Sequence, residues 1–326
     1  MKDFADVRSL QSPMEVGTII GTAWRLYRSN LSQYLPLSLR GSAWLFLPTS
    51  LLLIGLLWML SQGVVIGNLS GLFALLIPAW IVLVLWCNAQ SLGEFSAISR
   101  LVHQSLSVPT GAESESSAES LRFTRSRKFA LLGSAAIQWV ISAVVSIVSL
   151  LIYSFALGMI VIGFGAFSGQ PSPGMFLGGG ALLLISIVGL TWFSIWVAMR
   201  LLVTEQALAI ETPSGAIASI GRSWRLMKKH ALRATGIMIL AGFICLPVLI
   251  VTGIGSQFVQ AIVLRAAGVT VSSTSPPAVL FLSSAVSYAM GVLSGIVGGI
   301  IIGPFLRAVV TTLYFDIRNR KGILEA

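Results

Sequence analysis

The chain has 326 residues, of which 56% are hydrophobic and 10% charged, with a mean hydropathy of +0.90 and a formal net charge of +10. A water-soluble fold needs far less apolar residue than this, so the composition excludes an ordinary soluble enzyme and a disordered basic protein. It predicts an all-α integral membrane protein.

The chain starts with Lys2, Asp3, Asp6 and Arg8 and no early apolar stretch, so no cleaved signal peptide is expected. Next comes "SPMEVGTIIGTAWRLYR" from Ser12, where a hydroxyl, Pro13 and Glu15 have the form of a helix start. Val16, Ile19, Ile20, Ala23, Trp24, Tyr27 and Leu31 then recur at helical spacing, with Glu15, Thr18, Thr22, Arg25 and Arg28 on the other face. The pattern predicts an amphipathic, basic helix suited to a membrane interface, with its Trp at headgroup depth.

Charge-poor runs long enough to cross about 30 Å of hydrocarbon, roughly 20 helical residues each, follow at 41–62, 71–98, 129–156, 178–204, 234–262 and 279–310. Runs such as "SLLLIGLLWML" and "AVVSIVSLLIY" are apolar on every side, which excludes the alternation of a β-barrel. Between the second and third spans, "HQSLSVPTGAESESSAESLRFTRSRK" (103–128) is polar and Ser-rich, which predicts a flexible, solvated linker. Cys87 and Cys245 fall inside spans and read as packing residues, since no Cys-x-x-Cys or Cys/His cluster exists.

Before the fifth span the opening sentence returns as "TPSGAIASIGRSWRLMK" from Thr212. Ile217, Ile220, Trp224, Met227 and Ala231 oppose Arg222, Arg225 and Lys228. Ile20/Ile220, Gly21/Gly221, Trp24/Trp224, Arg25/Arg225 and Leu26/Leu226 share one constant offset, and each copy leads to a Leu-Pro step, Leu47-Pro48 and Leu246-Pro247. These matches predict a single polytopic domain, 1–326, with a parallel internal repeat. Its parts are unit one at 12–98, inserted spans three and four at 129–204, unit two at 212–310 and a cytoplasmic tail at 311–326. The two basic helices either anchor the spans after them or recognise a headgroup or partner. The contact residues are then Trp24, Arg25, Arg28, Arg222, Trp224, Arg225 and Lys228.

Of the 21 Lys and Arg residues all but Arg265 fall in the N-terminal segment up to and including Arg40, in 100–128, in 200–233, or from Arg307 onward. With six spans these segments share one face, so the positive-inside rule puts both termini in the cytoplasm of a cell (inner) membrane. That face should attract anionic lipids and not nucleic acid.

No catalytic motif is found: there is no His-Glu-x-x-His, no Gly-x-Ser-x-Gly and no phosphate-cradling glycine loop. Neither a cofactor nor a metal is expected. Glu94, Arg200, Glu205, Arg307 and Asp316 lie near cytoplasmic span ends, either as a polar cluster or as interface anchors. Gln138, Ser142, Ser146, Ser149 and Tyr153 form a mildly polar stripe expected to face the bundle interior or a narrow cavity. Ser287, Gly291, Gly295, Gly299 and Gly303 form a small-residue stripe that either packs within the bundle or makes a homodimer through span six.

The residues "ALAIETPSGAIASIGRSWRLMKKHALR" (207–233) and "TTLYFDIRNRKG" (311–322) resemble the membrane domain attached to some bacterial glycerophosphoryl diester phosphodiesterases, which also occurs alone. Arg222-Ser223-Trp224 with Leu226 and Lys228 matches that family's Arg-Ser-Trp-x-Leu-x-Lys pattern. Tyr314-Phe315-Asp316 with Arg318 and Arg320 matches its Tyr-Tyr-Asp-Leu-Arg-x-Arg ending, with Phe315 and Ile317 substituted and Lys321 where an acid would precede Gly322. In that family the phosphodiesterase activity belongs to a separate soluble barrel using His, Glu and Asp around a metal. The only histidines here are His103 and His230, neither followed by Glu, so the resemblance implies a stand-alone, non-catalytic membrane domain. The expected function is a scaffold or regulator for anionic lipids or a cytoplasmic protein partner, with a transporter or lipid-translocating protein as the alternative.

Overall fold

The computed structural model describes residues 14–61, 70–107, 115–164, 170, 172–211, 215–268 and 276–325, without the side chains of 56–61, 70–75, 277, 278, 281 and 321–325. The two stretches' opening residues Ser12, Pro13, Thr212 and Pro213 lie outside it. Ten α-helices follow one another: α1 (Val16–Ser29), α2 (Leu31–Ser61), α3 (Ser70–Ser107), α4 (Ser117–Ser126), α5 (Lys128–Gly163), α6 (Pro173–Leu201), α7 (Thr204–Ile210), α8 (Ala216–Leu226), α9 (Ala231–Ala266) and α10 (Pro277–Glu325). No strand occurs among the described residues.

Among the described residues six stretches are long and apolar enough to cross a membrane: Leu31–Gly55, Leu76–Ser107, Lys128–Gly163, Pro173–Ile210, Ala231–Ala266 and Leu282–Arg320. Their outer faces carry large exposed apolar side chains, among them Val144, Ile147, Leu151 and Phe155 on α5 and Phe243, Val251, Phe258 and Ile262 on α9. Only a few per cent of the α5 window, 6%, is buried within the chain. Surface of that kind needs hydrocarbon around it. The chain is a multi-pass, membrane-embedded helical protein.

The spans pair as hairpins, α2 with α3, α5 with α6 and α9 with α10. The hairpins join in a cycle in which the second helix of each packs on the first of the next, α3 on α5, α6 on α9 and α10 on α2. A short helix precedes each hairpin and lies against the second helix of the hairpin before it: α4 on α3, α8 on α6 and α1 on α10. Each short helix meets its span at one non-helical residue of similar conformation, which α8 reaches through the 3-10 turn Met227–Lys229. Asn30 has φ −119° and ψ 22°, Arg127 −105° and 8°, and His230 −118° and 2°. We call α1, α4 and α8 elbows. The main apolar core gathers at the elbow end, from Ile19, Tyr34, Leu37, Ile98, Leu101, Leu226, Met227, Ile237, Phe305, Leu313 and Tyr314.

Several expectations change. The 103–128 linker contains the end of α3 and the elbow α4. Ser116 caps α4 in a reciprocal box: its hydroxyl accepts from the Glu119 N–H, and its N–H donates to Glu119 Oε2 at 2.8 Å. Such a box lets a polar sequence start a helix. Glu15, by contrast, is itself the N-cap of α1 and makes no capping bond. Residues 311–325 are not a separate tail, since α10 runs through them. The first span starts at Leu31, ten residues before the apolar run, because the elbow core buries Tyr34, Leu37 and Ser38. In the polar stripe of α5, Ser142 and Ser146 are exposed, and Ser149 donates to its own helix at Val145 O, 2.8 Å. A hydroxyl satisfied that way can face lipid; Gln138, Ser149 and Tyr153 are half-buried, and none of the five is buried. Cys87 and Cys245 are buried and free.

The glycine stripe of α10 is used within the chain. An added Cβ would meet the Phe46 ring at 2.6 Å from Gly295 and Ser42 Oγ at 2.7 Å from Gly299. Ser38 donates to the Gly299 carbonyl at 2.8 Å. In lipid, close backbone approach of this kind drives association where no hydrophobic force is left. Gly295→Leu should therefore destabilise the detergent-solubilised protein by about 1–3 kcal/mol. Gly291→Leu, with nothing within 4 Å of an added Cβ, should melt like the parent in the same thermal scan.

Candidate functional site

The elbow end carries nearly all the charge, and its two buried acids, Glu94 and Asp316, are each held by an arginine from another helix. At the α3–α4 joint Glu94 is fully buried. Arg125 on α4 donates to its Oε1 at 2.6 Å, and Arg40 Nε on α2 lies 3.7 Å from its Oε2. Two α4 hydroxyls also reach α3, Thr124 to Gly93 O at 2.9 Å and Ser120 to Ala97 O at 3.1 Å. A buried carboxylate is tolerable only when so compensated.

Asp316 makes the α10–α1 joint. Its Oδ1 accepts the Met14 N–H at 2.8 Å, and its Oδ2 accepts Arg233 Nη1 at 2.8 Å and Arg320 Nε at 3.0 Å. Arg233 and Arg320 also donate to the Met14 carbonyl, the latter at 2.9 Å. One carboxylate thus fastens the start of α1, the start of α9 and the end of α10. Trp24 and Tyr27 close the joint on Phe305, with ring centroids 5.7 and 6.0 Å away.

Among the described residues the α6–α8 joint has no carboxylate of this kind. Ser223 donates to the Arg200 carbonyl at 2.8 Å, the same 23-residue reach as Ser120 to Ala97. Arg200 Nη1 donates to Trp224 O at 3.3 Å, and its guanidinium stacks over Trp196 and Trp224 at 4.7 and 5.1 Å.

The α7 segment supplies two further acids. Glu205 pairs with Arg307 and accepts from Ser96 at 2.9 Å. Glu211 pairs with Arg222 at 2.6 Å and accepts the Tyr314 hydroxyl. Arg100 pairs with Glu115 at 2.9 Å and stacks over Phe123, 3.6 Å from its centroid. Arg127 donates to the Leu208 and Glu211 carbonyls. Burial, and after it the Arg100 charge, lowers Arg127 below its ordinary pKa, and burial raises Tyr27 above its own.

The five residues expected as a polar cluster are therefore split among four places. Glu205 and Arg307 pair with each other, whereas Glu94 and Asp316 each fasten an elbow and Arg200 lies against two indoles that meet edge to face. Among the expected contact residues, Arg222 is half-buried and held by Glu211. The other six, Trp24, Arg25, Arg28, Trp224, Arg225 and Lys228, are exposed. Thr22, placed by pattern on the polar face, is buried, and Ile217, placed on the apolar face, is 78% exposed. The elbows turn Ile19, Ala23 and Leu26, and correspondingly Ser219, Ser223 and Leu226, toward the bundle. Arg40, Arg125, Arg233, Glu211 and Trp196 carry no sequence signal for these roles; the four-residue spacing of Asp316 and Arg320 alone could have marked a pair. Among the described residues no three His, Cys, Asp or Glu side chains gather as a metal site.

No family model, no curated protein and no solved structure matches the chain.

Removing one side of a buried, hydrogen-bonded pair costs about 3–5 kcal/mol. Asp316→Asn should lower stability by that order and raise amide exchange selectively in residues 16–29. Unchanged exchange there would separate Asp316 from the anchoring of α1. At α4 the Ser116 backbone N–H, and after it the Ser116 hydroxyl, holds Glu119 below its ordinary pKa. A carboxyl depressed on folding stabilises above its unfolded value and loses that contribution as pH falls through the folded one. Amide exchange at 117–120, corrected for intrinsic rate, should accelerate over that acid window, and Glu119→Gln should abolish the pH dependence.

Proposed function

We propose that this chain is a non-catalytic scaffold or regulator of a cell (inner) membrane, with both termini cytoplasmic, that gathers anionic lipids at its elbow face. One observation carries the reading. Arg25 and Arg28 on α1, and Arg225 on α8 with Lys228 just after it, are exposed and in no ion pair with a described carboxylate. Each pair flanks a Trp that is 43% or 38% exposed, Trp24 and Trp224. Each exposed base near an anionic surface adds about 1 kcal/mol, and indoles favour headgroup depth. The buried acids of this face, Glu94 and Asp316, and also Glu115, Glu205 and Glu211, are paired with other arginines, so its surplus positive charge is left for lipid phosphates.

The elbows are amphipathic interfacial helices in this reading, supported by the exposure of Ile217 beside Trp224 and by the buried positions 19, 23, 26 and 27 recurring at 219, 223, 226 and 227. The repeat has three units, not two with inserted spans: α1–α3, α4–α6 and α8–α10. Support comes from the three single-residue bends, the cyclic packing, and the buried positions 34, 131 and 234 and 37, 134 and 237, four and seven residues past each bend. The resemblance to the glycerophosphoryl diester phosphodiesterase membrane domain fits a helical module without the catalytic barrel. A cytoplasmic protein with an acidic surface is the competing occupant of the same face.

Two measurements test the reading. With Cys87 and Cys245 replaced by Ala, an impermeant thiol reagent should label Ala267→Cys in intact cells and leave Ser116→Cys unlabelled; the reverse would invert the topology. Neutralising Arg25, Arg28, Arg225 and Lys228 to Gln should lower the ratio of anionic to neutral lipid that co-purifies, with either pair alone giving part of the loss. An unaltered ratio together with loss of a bound protein would make the elbows docking surfaces instead.

A further inference from the structure

Two of the three elbow joints place an acid against the elbow; at the third, α6 on α8, the buried charge is a cation. Arg200 is only 8% exposed. Its Nε has no hydrogen-bond partner, and no described carboxylate pairs with it. A buried guanidinium without a counter-charge is costly, and its unpartnered Nε–H is the group that a bound anion would satisfy.

A shallow, open groove lies beside it, between α6 and α9, lined by Trp192, Ile195, Trp196, Ala231, Leu232 and Thr235. The Thr235 hydroxyl is turned back to the Ala231 carbonyl at 3.0 Å, so the α9 wall is apolar. Trp192, Trp196 and Arg200 follow at four-residue intervals on one face of α6, so the apolar wall leads straight to the guanidinium. The turn that carries exposed Lys228 and Lys229 packs on α6 as well, and neither Lys is paired with a described carboxylate.

We infer that the α6–α8–α9 corner binds one anionic phospholipid, its phosphate held by Arg200 with Lys228 at the edge and an acyl chain laid along the Trp192–Trp196 groove. This site rests on the lipid reading above but differs from it in kind. The elbow bases enrich many headgroups by charge, whereas this corner holds one molecule by charge and apolar contact together.

The test uses the full chain in nanodiscs of phosphatidylcholine with phosphatidylglycerol, released into mild detergent and weighed by native mass spectrometry. One phosphatidylglycerol should stay on the parent protein. Arg200→Gln should cut its retention by about tenfold or more, as expected for loss of a charge-assisted phosphate contact. Leu232→Trp, at a position 68% exposed, should fill the groove, leave the fold and Arg200 intact, and release the same lipid. If Arg200→Gln does not fold, Leu232→Trp decides. Arg25→Gln with Arg28→Gln should keep the single lipid even where the general enrichment falls, so failure of the elbow reading and failure of this site give different patterns. Parent-level retention in Leu232→Trp overturns the inference. So does displacement of the lipid by millimolar inorganic phosphate, which would mark a free-anion site.

Discussion

A carboxylate at the edge of hydrocarbon cannot stay both charged and alone, and the elbow end of this protein is organised around that constraint. Glu94 and Asp316, both essentially inaccessible, are each paired with an arginine from another helix, Arg125 on α4 and Arg233 on α9. Each clasp brings a short helix down onto the spans before it. Without Asp316 the start of α1 would lose the Met14 N–H contact, and Arg233 and Arg320 would lose their counter-charge. The same pairs decide where positive charge is left over. Because bases outnumber acids, compensating the buried acids strands the remaining bases on α1, on and after α8, and at Arg200. Folding and the proposed lipid contact draw on one set of charges.

The spans themselves are held differently. Away from the elbow end their outer surfaces are apolar and exposed, and lipid must supply the contact that neighbouring helices do not. Small residues then set which helices touch, as Gly295 and Gly299 do against Phe46 and Ser42. The result is a molecule tightly joined at one end and lipid-embedded over the rest, with its chemistry-bearing residues in the joined end.

The spans could be read from composition because hydrocarbon demands long apolar runs whatever the tertiary fold. The elbows α1 and α8 could be read because their Trp and basic residues repeat at a fixed distance. The elbow α4 escaped notice since "SAESLRFTRS" has no Trp and looks like a solvated linker. Its one local signal was Ser116 followed by Glu119, the capping box that starts it. The site was legible only in part. Helical pattern separates the faces of α1 but misplaces Thr22 and Ile217, since burial depends on which neighbour a face meets. The partners of Glu94, Asp316 and Glu211 lie 31, 83 and 103 residues away in the bonds from Arg125, Arg233 and Tyr314. No local pattern carries such pairings.

The packing of α1 on α10 joins the first described helix to the last and completes the cycle on which the charged layer depends. Its most direct measurement is thiol cross-linking in native membranes between Trp24→Cys and Phe305→Cys, with Cys87 and Cys245 replaced by Ala. The two rings stand 5.7 Å apart, so a short bifunctional reagent should link the pair within one chain in high yield, and Asp316→Asn should reduce that yield. Failure to link in the parent background, while Ser120→Cys and Ala97→Cys link across the α3–α4 joint, would contradict the closed cycle and with it the placement of the cationic elbows on one face.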